Sequence, residues 1–310
     1  TTVRFTPPLI LGSILKSRTE TALKAFANDP GLEENSRKLA EAGSKLNKSW
    51  EKANKINDEK LKKAGLPTKT EQADLFQAIY GRNGEAPIPV IAASSPSDCF
   101  NMAYEACRIA IEHMTPIFLL SDGYIANGAE PWCFPKSKDL ADIHVCFLKE
   151  RKEDDPIYMP YKRDEKLVRP WAIPGTKGLE HRIGGLEKDF ETGNVSYDPE
   201  NHHKMVKIRA EKINKIADYI PPQELEIGSE NSDLLVLGWG STYGAIKTAT
   251  RELSKEGFDI AHIHIKYIEP MPKNLEQILS NYDKILVPEM NNGQLIKLIR
   301  DRYLVDAKPL

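Results

Sequence analysis

Three stretches of this chain carry side chains whose types and spacing suit chemistry. The first is Gly178-Leu179-Glu180-His181-Arg182-Ile183-Gly184-Gly185. His181 and Arg182 side by side can donate to an anionic ligand, and the two glycines permit close backbone approach. The same residues suit a packed loop in which His181 satisfies neighbouring backbone, and both readings stand. The second stretch is a pair of polar turns, Ser94-Ser95-Pro96-Ser97-Asp98 and Ser121-Asp122-Gly123. Each follows an apolar strand candidate, Ile88 to Ala92 and Ile117 to Leu120. Such turns at strand ends are where α/β sheets place ligands.

The third is the glycine turn Gly238-Trp239-Gly240-Ser241-Thr242-Tyr243-Gly244. It begins like a dinucleotide fingerprint but misses the third glycine spacing, and Lys266 stands where an acidic ribose ligand belongs. It therefore reads as a tight turn whose glycines and Ser241 cap a helix. The cysteines Cys99, Cys107, Cys133 and Cys146 form no C-x-x-C pair, which excludes a zinc ribbon and a ferredoxin-type cluster. They are expected to be buried or incidental thiols. His202 and His203 are adjacent, poor geometry for ligating one metal, and are expected to be structural.

The elements that would position these groups follow from periodicity. Between the two apolar strands, Ser97 or Asp98 can cap a helix with Phe100, Ala103, Cys107, Ala110 and Ile111 as its apolar stripe. The unit reads as strand, helix, parallel strand. Residues 1–18 show no clear period, whereas Thr19 to Ala64 is lysine-rich with sparse apolar positions and reads as helical. Pro135 to Pro160 is a polar excursion with one strand candidate, Ile143 to Phe147. A helix is expected from Pro199 to Tyr219, with Met205, Ile208, Ile213, Ile216 and Ala217 as its apolar face. Pro221-Pro222 stops it. A second α/β unit follows, with strands at Asp233 to Leu237, Ile260 to Ile265 and Lys284 to Val287. Its helices are expected at Tyr243 to Lys255, near Lys273 to Ser280 and at Gly293 to Tyr303.

The 310 residues suffice for two domains, and 43 basic against 45 acidic residues give a net charge of -2. No basic field argues for nucleic acid. No apolar run approaches the ~20 residues that span a bilayer, and Leu9 to Leu15 is a poor signal peptide, so a cytoplasmic protein is expected.

Several of these segments together carry a resemblance. They are Gly65-Leu66-Pro67-Thr68-Lys69-Thr70-Glu71-Gln72-Ala73-Asp74-Leu75, Tyr80-Gly81-Arg82-Asn83-Gly84-Glu85, Leu120-Ser121-Asp122-Gly123-Tyr124, Glu180-His181-Arg182-Ile183-Gly184-Gly185, Gly193-Asn194-Val195-Ser196-Tyr197-Asp198-Pro199, the glycine turn from Gly238, and Pro288-Glu289-Met290-Asn291-Asn292-Gly293-Gln294. In this order, residues 65–310 resemble alpha subunits of the 2-oxoacid:ferredoxin oxidoreductase family, most similarly the 2-oxoglutarate enzymes. Residues 1–64 do not match. The resemblance implies an α/β fold: a partial thiamine-diphosphate-enzyme-like three-layer domain over 65–225 with a long loop excursion, then a smaller transketolase-C-like domain over 226–310. A helical N-terminal segment precedes both.

The implied activity is oxidative decarboxylation of a 2-oxoacid to an acyl-coenzyme A, with electrons passed to ferredoxin. A separate beta subunit would hold the diphosphate, its Mg ion and the iron–sulfur cluster, so the chain alone would be inactive. This agrees with the absence of a Gly-Asp-Gly diphosphate motif and of a four-cysteine set. Of the family's substrate loop, Gly65-Leu66-Pro67-Thr68 remains. Thr68 and Gly65, with His181 and Arg182, are the expected substrate-binding residues, although Thr68 equally suits capping a helix near Glu71. The family's pyrimidine-activating glutamate normally lies upstream of Gly65, and residues 1–64 contain no match to its segment. The alternative is a non-catalytic assembly protein that keeps the docking surface.

Overall fold

The computed structural model describes residues 72–151 and 157–310. The expected helical segment at 19–64, Gly65 and Thr68 lie outside the described residues.

A short helix α1 (Leu75–Tyr80) precedes strand β1 (Val90–Ala92), helix α2 (Asp98–Glu112) and strand β2 (Phe118–Leu120). β1 and β2 pair in parallel, Val90 opposite Phe118, as the strand–helix–strand pattern predicts. α3 (Gly123–Asn127) follows directly, and then comes a long excursion with a 3-10 turn at Ser137–Asp139 and the two-residue strands β3 (Phe147–Leu148) and β4 (Trp171–Ala172), paired in parallel. The strand expected at Ile143 to Phe147 is thus shorter and lies later in the chain.

α2 buries a different stripe from the expected one. Met102 and Ile109 are buried, with Cys99 and Ala106 packed partly beneath the sheet, whereas Ala103 and Cys107 face solvent. Two apolar stripes compete on this helix, and the one with two bulky side chains at i and i+7 removes more area from water. Ser97 makes no side-chain cap. Asp98 is instead drawn inward, its Oδ2 accepting from the Ser94 N–H at 3.0 Å and hydroxyl at 2.7 Å. The cysteines are free thiols; Cys107, Cys133 and Cys146 are exposed and Cys99 is half-buried, so of the two expected states they take the incidental one rather than full burial. The sequence around Cys133 and Cys146 belongs to the polar excursion, where little packs over it.

α4 (Pro199–Lys215) starts where expected, with Pro199 at its first turn and Asp198 accepting from the N–H groups of Glu200 and Asn201. A 3-10 turn continues it to Asp218. The second unit contains β5 (Leu234–Trp239), α5 (Tyr243–Lys255), β6 (Ile260–Ile265), β7 (Tyr267–Glu269), α6 (Leu275–Ser280), β8 (Ile285–Val287), α7 (Gln294–Tyr303) and β9 (Lys308–Pro309). Its parallel sheet has the order β6-β5-β8-β9.

All six residues of β5 are buried, which explains why its sequence lacks alternation. Leu234 and Val236 pack under α5 with Ile246 and Leu253. Leu235, Leu237 and Trp239 face the other way, into a core shared with Leu75, Val90, Ala92 and Leu120 of the first unit. Each fully buried aliphatic chain there contributes about 1.5–3 kcal/mol. The sharing is reinforced by β7, which leaves the second unit and pairs antiparallel with β1, Val90 opposite Glu269. Ile268, fully buried, carries that crossing.

Candidate functional site at the strand ends

The carboxyl ends of β1, β2 and β5 meet in one polar cluster. At the end of β1, Lys266 Nζ reaches Asp98 Oδ1 at 2.8 Å, and its carbonyl accepts from the Ala92 N–H at 2.8 Å. Ser95 Oγ donates to Glu130 Oε1 at 2.6 Å, and the Ser97 N–H reaches the same oxygen. Burial works to raise the Glu130 carboxyl, but these bonds from Ser95 and Ser97 outweigh it and hold the group below its ordinary range. Cys99 is pushed the other way, by burial first and then by Asp98, Asp122 and Glu130, so its thiol stays protonated.

At the end of β2, buried Asp122 does two jobs. Its Oδ1 caps α3 by accepting from the N–H groups of Tyr124 (2.9 Å) and Ile125 (3.1 Å). Its Oδ2 accepts from the hydroxyl of Ser241, across the seam between the two units. Ser241 therefore does not cap a helix, contrary to expectation. Thr242 closes the turn instead, donating to the Trp239 carbonyl at 2.7 Å and accepting from the Trp239 N–H at 3.3 Å. In the intervening turn Gly240 has φ +59, and a Cβ there would lie 2.0 Å from Gln72 Nε2. Only glycine lets the turn and the Gln72 side chain share this space.

Gln72 is the last described residue of the Gly65 stretch on its N-terminal side, and it is 3% exposed. Its Nε2 donates at 3.4 Å to the Trp239 carbonyl and to Ser241 Oγ, while Oε1 is buried with no hydrogen-bond partner. The loop after β8 clamps this segment. Asn291 Nδ2 donates to the Gln72 carbonyl at 2.7 Å, Gln294 Nε2 to the Ala73 carbonyl at 2.6 Å, and the Phe76 N–H to Gln294 Oε1 at 2.8 Å. Buried Glu289 supports the clamp by accepting from Leu295 N (2.8 Å), Ile296 N (2.9 Å) and Trp239 Nε1 (3.2 Å). The result is a tightly hydrogen-bonded polar cluster with one buried acceptor, Gln72 Oε1, that has no partner among the described residues. Among the described residues no three His, Cys, Asp or Glu converge to hold a metal ion.

His181 lies elsewhere, in the excursion. It is half-buried, its Nδ1 is 2.8 Å from the Leu179 carbonyl, and its ring meets Tyr158 edge-on at 5.3 Å. Arg182 is exposed on the same loop. His202 pairs with Glu187 at 2.8 Å on the surface. Sequence reasoning overlooked Gln72 and the pairing of Asp122 with Ser241, because a polar residue's partner 119 positions away leaves no local pattern. It also overlooked three fully or nearly fully buried histidines, His113, His262 and His264; the ring nitrogens of His113 and His262 have no hydrogen-bond partner among the described residues, while His264 lies against the Gly240 backbone.

Two α/β units thus share one core, with the strand-end turns of the first closed by the glycine turn of the second. Residues 60–198 match the family described as pyruvate flavodoxin/ferredoxin oxidoreductase, thiamine diphosphate binding. Residues 232–307 match pyruvate:ferredoxin oxidoreductase core domain II. The chain is 50% identical over 245 residues to 2-oxoglutarate oxidoreductase subunit KorA of Mycobacterium tuberculosis, covering 79% of this chain and 37% of that protein. It is 29% identical to 2-oxoglutarate synthase subunit KorA of Methanocaldococcus jannaschii, covering 74% of this chain and 60% of that one. A solved 2-oxoglutarate:ferredoxin oxidoreductase from Magnetococcus marinus, with 2-oxoglutarate, coenzyme A and succinyl-CoA bound, superposes with a TM-score of 0.71 at 32% identity, covering 80% of this chain and 43% of that one. The chain thus belongs to the 2-oxoacid:ferredoxin oxidoreductase family, on the side of its alpha subunits. It spans about two fifths to three fifths of the length of these relatives.

Proposed function

We propose that this chain is an alpha-type subunit of a thiamine-diphosphate-dependent 2-oxoacid:ferredoxin oxidoreductase, with 2-oxoglutarate as its substrate and an acyl-coenzyme A as product. The observation that carries the reading is 50% identity to a 2-oxoglutarate oxidoreductase subunit, sustained over 245 residues. In this reading residues 65–225 are the pyrimidine-binding-type unit and 226–310 the transketolase-C-like unit. The residues present fit the organic half of the cofactor: the unpaired Gln72 Oε1 offers a buried acceptor, and Asp122, Ser241 and Asn291 hold its surroundings rigid. When bound, thiamine diphosphate supplies the carbanion that adds to the 2-oxoacid and accepts electrons after decarboxylation.

The metal-bound half has no ligand group among the described residues. In this reading a beta subunit of the same enzyme is the partner that holds the diphosphate, its Mg ion and the iron–sulfur cluster, and through which ferredoxin is reduced. Gly65 and Thr68 approach the substrate in this reading, Thr68 by donating to a carboxylate or carbonyl, and His181 and Arg182 extend toward an anionic group. In this reading the assembly is cytoplasmic, and free thiols at all four cysteines support a reducing compartment.

Co-expression with a family beta subunit, followed by anaerobic viologen reduction with 2-oxoglutarate, coenzyme A and thiamine diphosphate, tests the reading. Turnover that needs both chains is expected. Co-purification without turnover would refute the catalytic role and leave a docking protein.

A further inference from the structure

Behind the loop that carries His181, the excursion and α4 line an open cleft of about 430 Å³. Arg163, Arg169, Lys188, Arg209 and Lys212 line it, against a single carboxylate, Glu187. That carboxylate is already engaged by His202 at 2.8 Å and Arg209 at 3.4 Å. Among the described residues, Asp164 is the further carboxylate that acts on the remaining cations, raising Lys212 against the cations around it. Arg163 Nη1 donates to the carbonyls of Tyr161 and Phe190 at 3.0 Å, and Lys212 Nζ to that of Met114 at 2.8 Å. Lys188 is 4% exposed, and its ammonium donates to the carbonyls of Leu186 and Gly184. The Arg163 and Arg169 guanidiniums lie 5.4 and 5.1 Å from the centre of one ring, Tyr161. Asp164 stands nearby, but its Oδ1 accepts from the N–H groups of Lys166 and Val168, closing its own turn.

Among the described residues, five cations face two carboxylates, Glu187 and Asp164, and the excess positive charge is repulsive. Lys212 is pushed down to about 8, by burial first and then by Arg163 and Arg169, with Asp164 opposing. Arg163 is lowered as well, by burial first and with Arg169 and Arg209 contributing. Carbonyl partners orient these groups without cancelling their charge. A cluster held this way is complementary to a ligand carrying several negative charges, and planar guanidiniums match phosphate oxygens bidentately.

We propose that this cleft binds the phosphate groups of a diphosphate-bearing ligand. Arg163 and Arg169 also line a second cleft of about 440 Å³, walled by Tyr158, Phe147 and Trp171. A ligand whose diphosphate carries an aromatic ring system can therefore fill both. The proposal does not depend on the chain's catalytic reading, because it concerns binding to the chain itself.

The test is isothermal titration of the full chain with inorganic diphosphate, a nucleoside diphosphate, coenzyme A and 2-oxoglutarate, at pH 8 in two buffers of different ionisation enthalpy. Saturable binding of diphosphate is expected, weakened at least tenfold between 0.05 and 0.5 M salt. Proton uptake should accompany it, as the ligand restores the charge of Lys212. Arg169→Gln and Arg209→Gln should each weaken it at least fivefold at unchanged melting temperature, whereas Lys177→Gln, on an exposed loop, should leave it unchanged. Tighter binding of the nucleoside diphosphate or coenzyme A than of diphosphate supports the proposal and shows that the neighbouring cleft is used; equal affinities support a site for free diphosphate. Binding of 2-oxoglutarate alone, no binding at all, or an equal loss in Lys177→Gln would overturn it.

Discussion

The contact between Asp122 and Ser241 joins the two units at the site, and its removal has a calculable cost. Asp122→Ala deletes the cap of α3, worth about 1 kcal/mol. It also deletes a hydrogen bond from a buried hydroxyl to a carboxylate, worth about 1.5–3 kcal/mol. The sum is about 2.5–4 kcal/mol, and at roughly 2 °C per kcal/mol for a chain of this size the melting temperature should fall by about 5–8 °C. Ser241→Ala removes the same bond from its other end and leaves Asp122 Oδ2 without its donor, while the cap through Oδ1 survives. The double variant should therefore cost less than the sum of the single ones by at least about 1.5 kcal/mol. The assay is a double-mutant cycle by chemical denaturation, with melting temperatures as a check. Additivity within about 0.5 kcal/mol would show that the two side chains do not interact, and would remove the seam from the account of the site.

Gly240→Ala places a Cβ against Gln72 in a left-handed backbone, so it should destabilise by about 2 kcal/mol or more. Adding Gln72→Ala should recover part of that loss, and a double variant no more stable than Gly240→Ala would rule out the collision. Glu289→Ala strands three donors at about 1 kcal/mol or more each, so a fall of at least about 6 °C is expected, and a shift under 2 °C would contradict the clamp. His113 is pushed down to about 4 by burial and by Lys166, Arg108 and Lys212, with Glu112 opposing. The unfolded chain takes up this proton near 6.5 and the folded chain only near 4. Stability from neutral His113 is therefore full above pH 6.5 and is lost as pH falls toward 4. His113→Gln should flatten the fall in melting temperature over that window, and curves that stay parallel to the parent would refute the assignment. In the two-subunit enzyme Thr68→Ala should raise the 2-oxoacid concentration needed for half-maximal rate while subunit association is unchanged; identical kinetics would remove Thr68 from the site.

Much of this protein was legible locally. Apolar runs ending in Ser, Asp and Gly mark β1, β2 and β5, and α5 runs from Tyr243 to Lys255 as its period predicts. The helix after Pro199 announces itself by Asp198 and Pro199, which satisfy and pre-set the first turn without help from the rest of the fold. The ordered motifs from Gln72 to Gln294 likewise carried the family, since a specific run of residue types survives in the chain whatever its packing.

Tertiary structure decided the choices that local pattern leaves degenerate. α2 has two apolar stripes, and the fold selected Met102, against the sheet, and Ile109, against Ile213 and Ile216, because they bury more area. Ser241 has a short-range option as a cap, yet a buried carboxylate across the seam is the stronger acceptor. β7 crosses to the first sheet because Ile268 reaches the shared core there. The basic cleft draws Arg163 and Arg169 from the excursion and Arg209 and Lys212 from α4, where they share a stripe with Met205 at i+4 and i+7. A helical period shows that those side chains share a face; only the fold of the excursion brings two more guanidiniums against it.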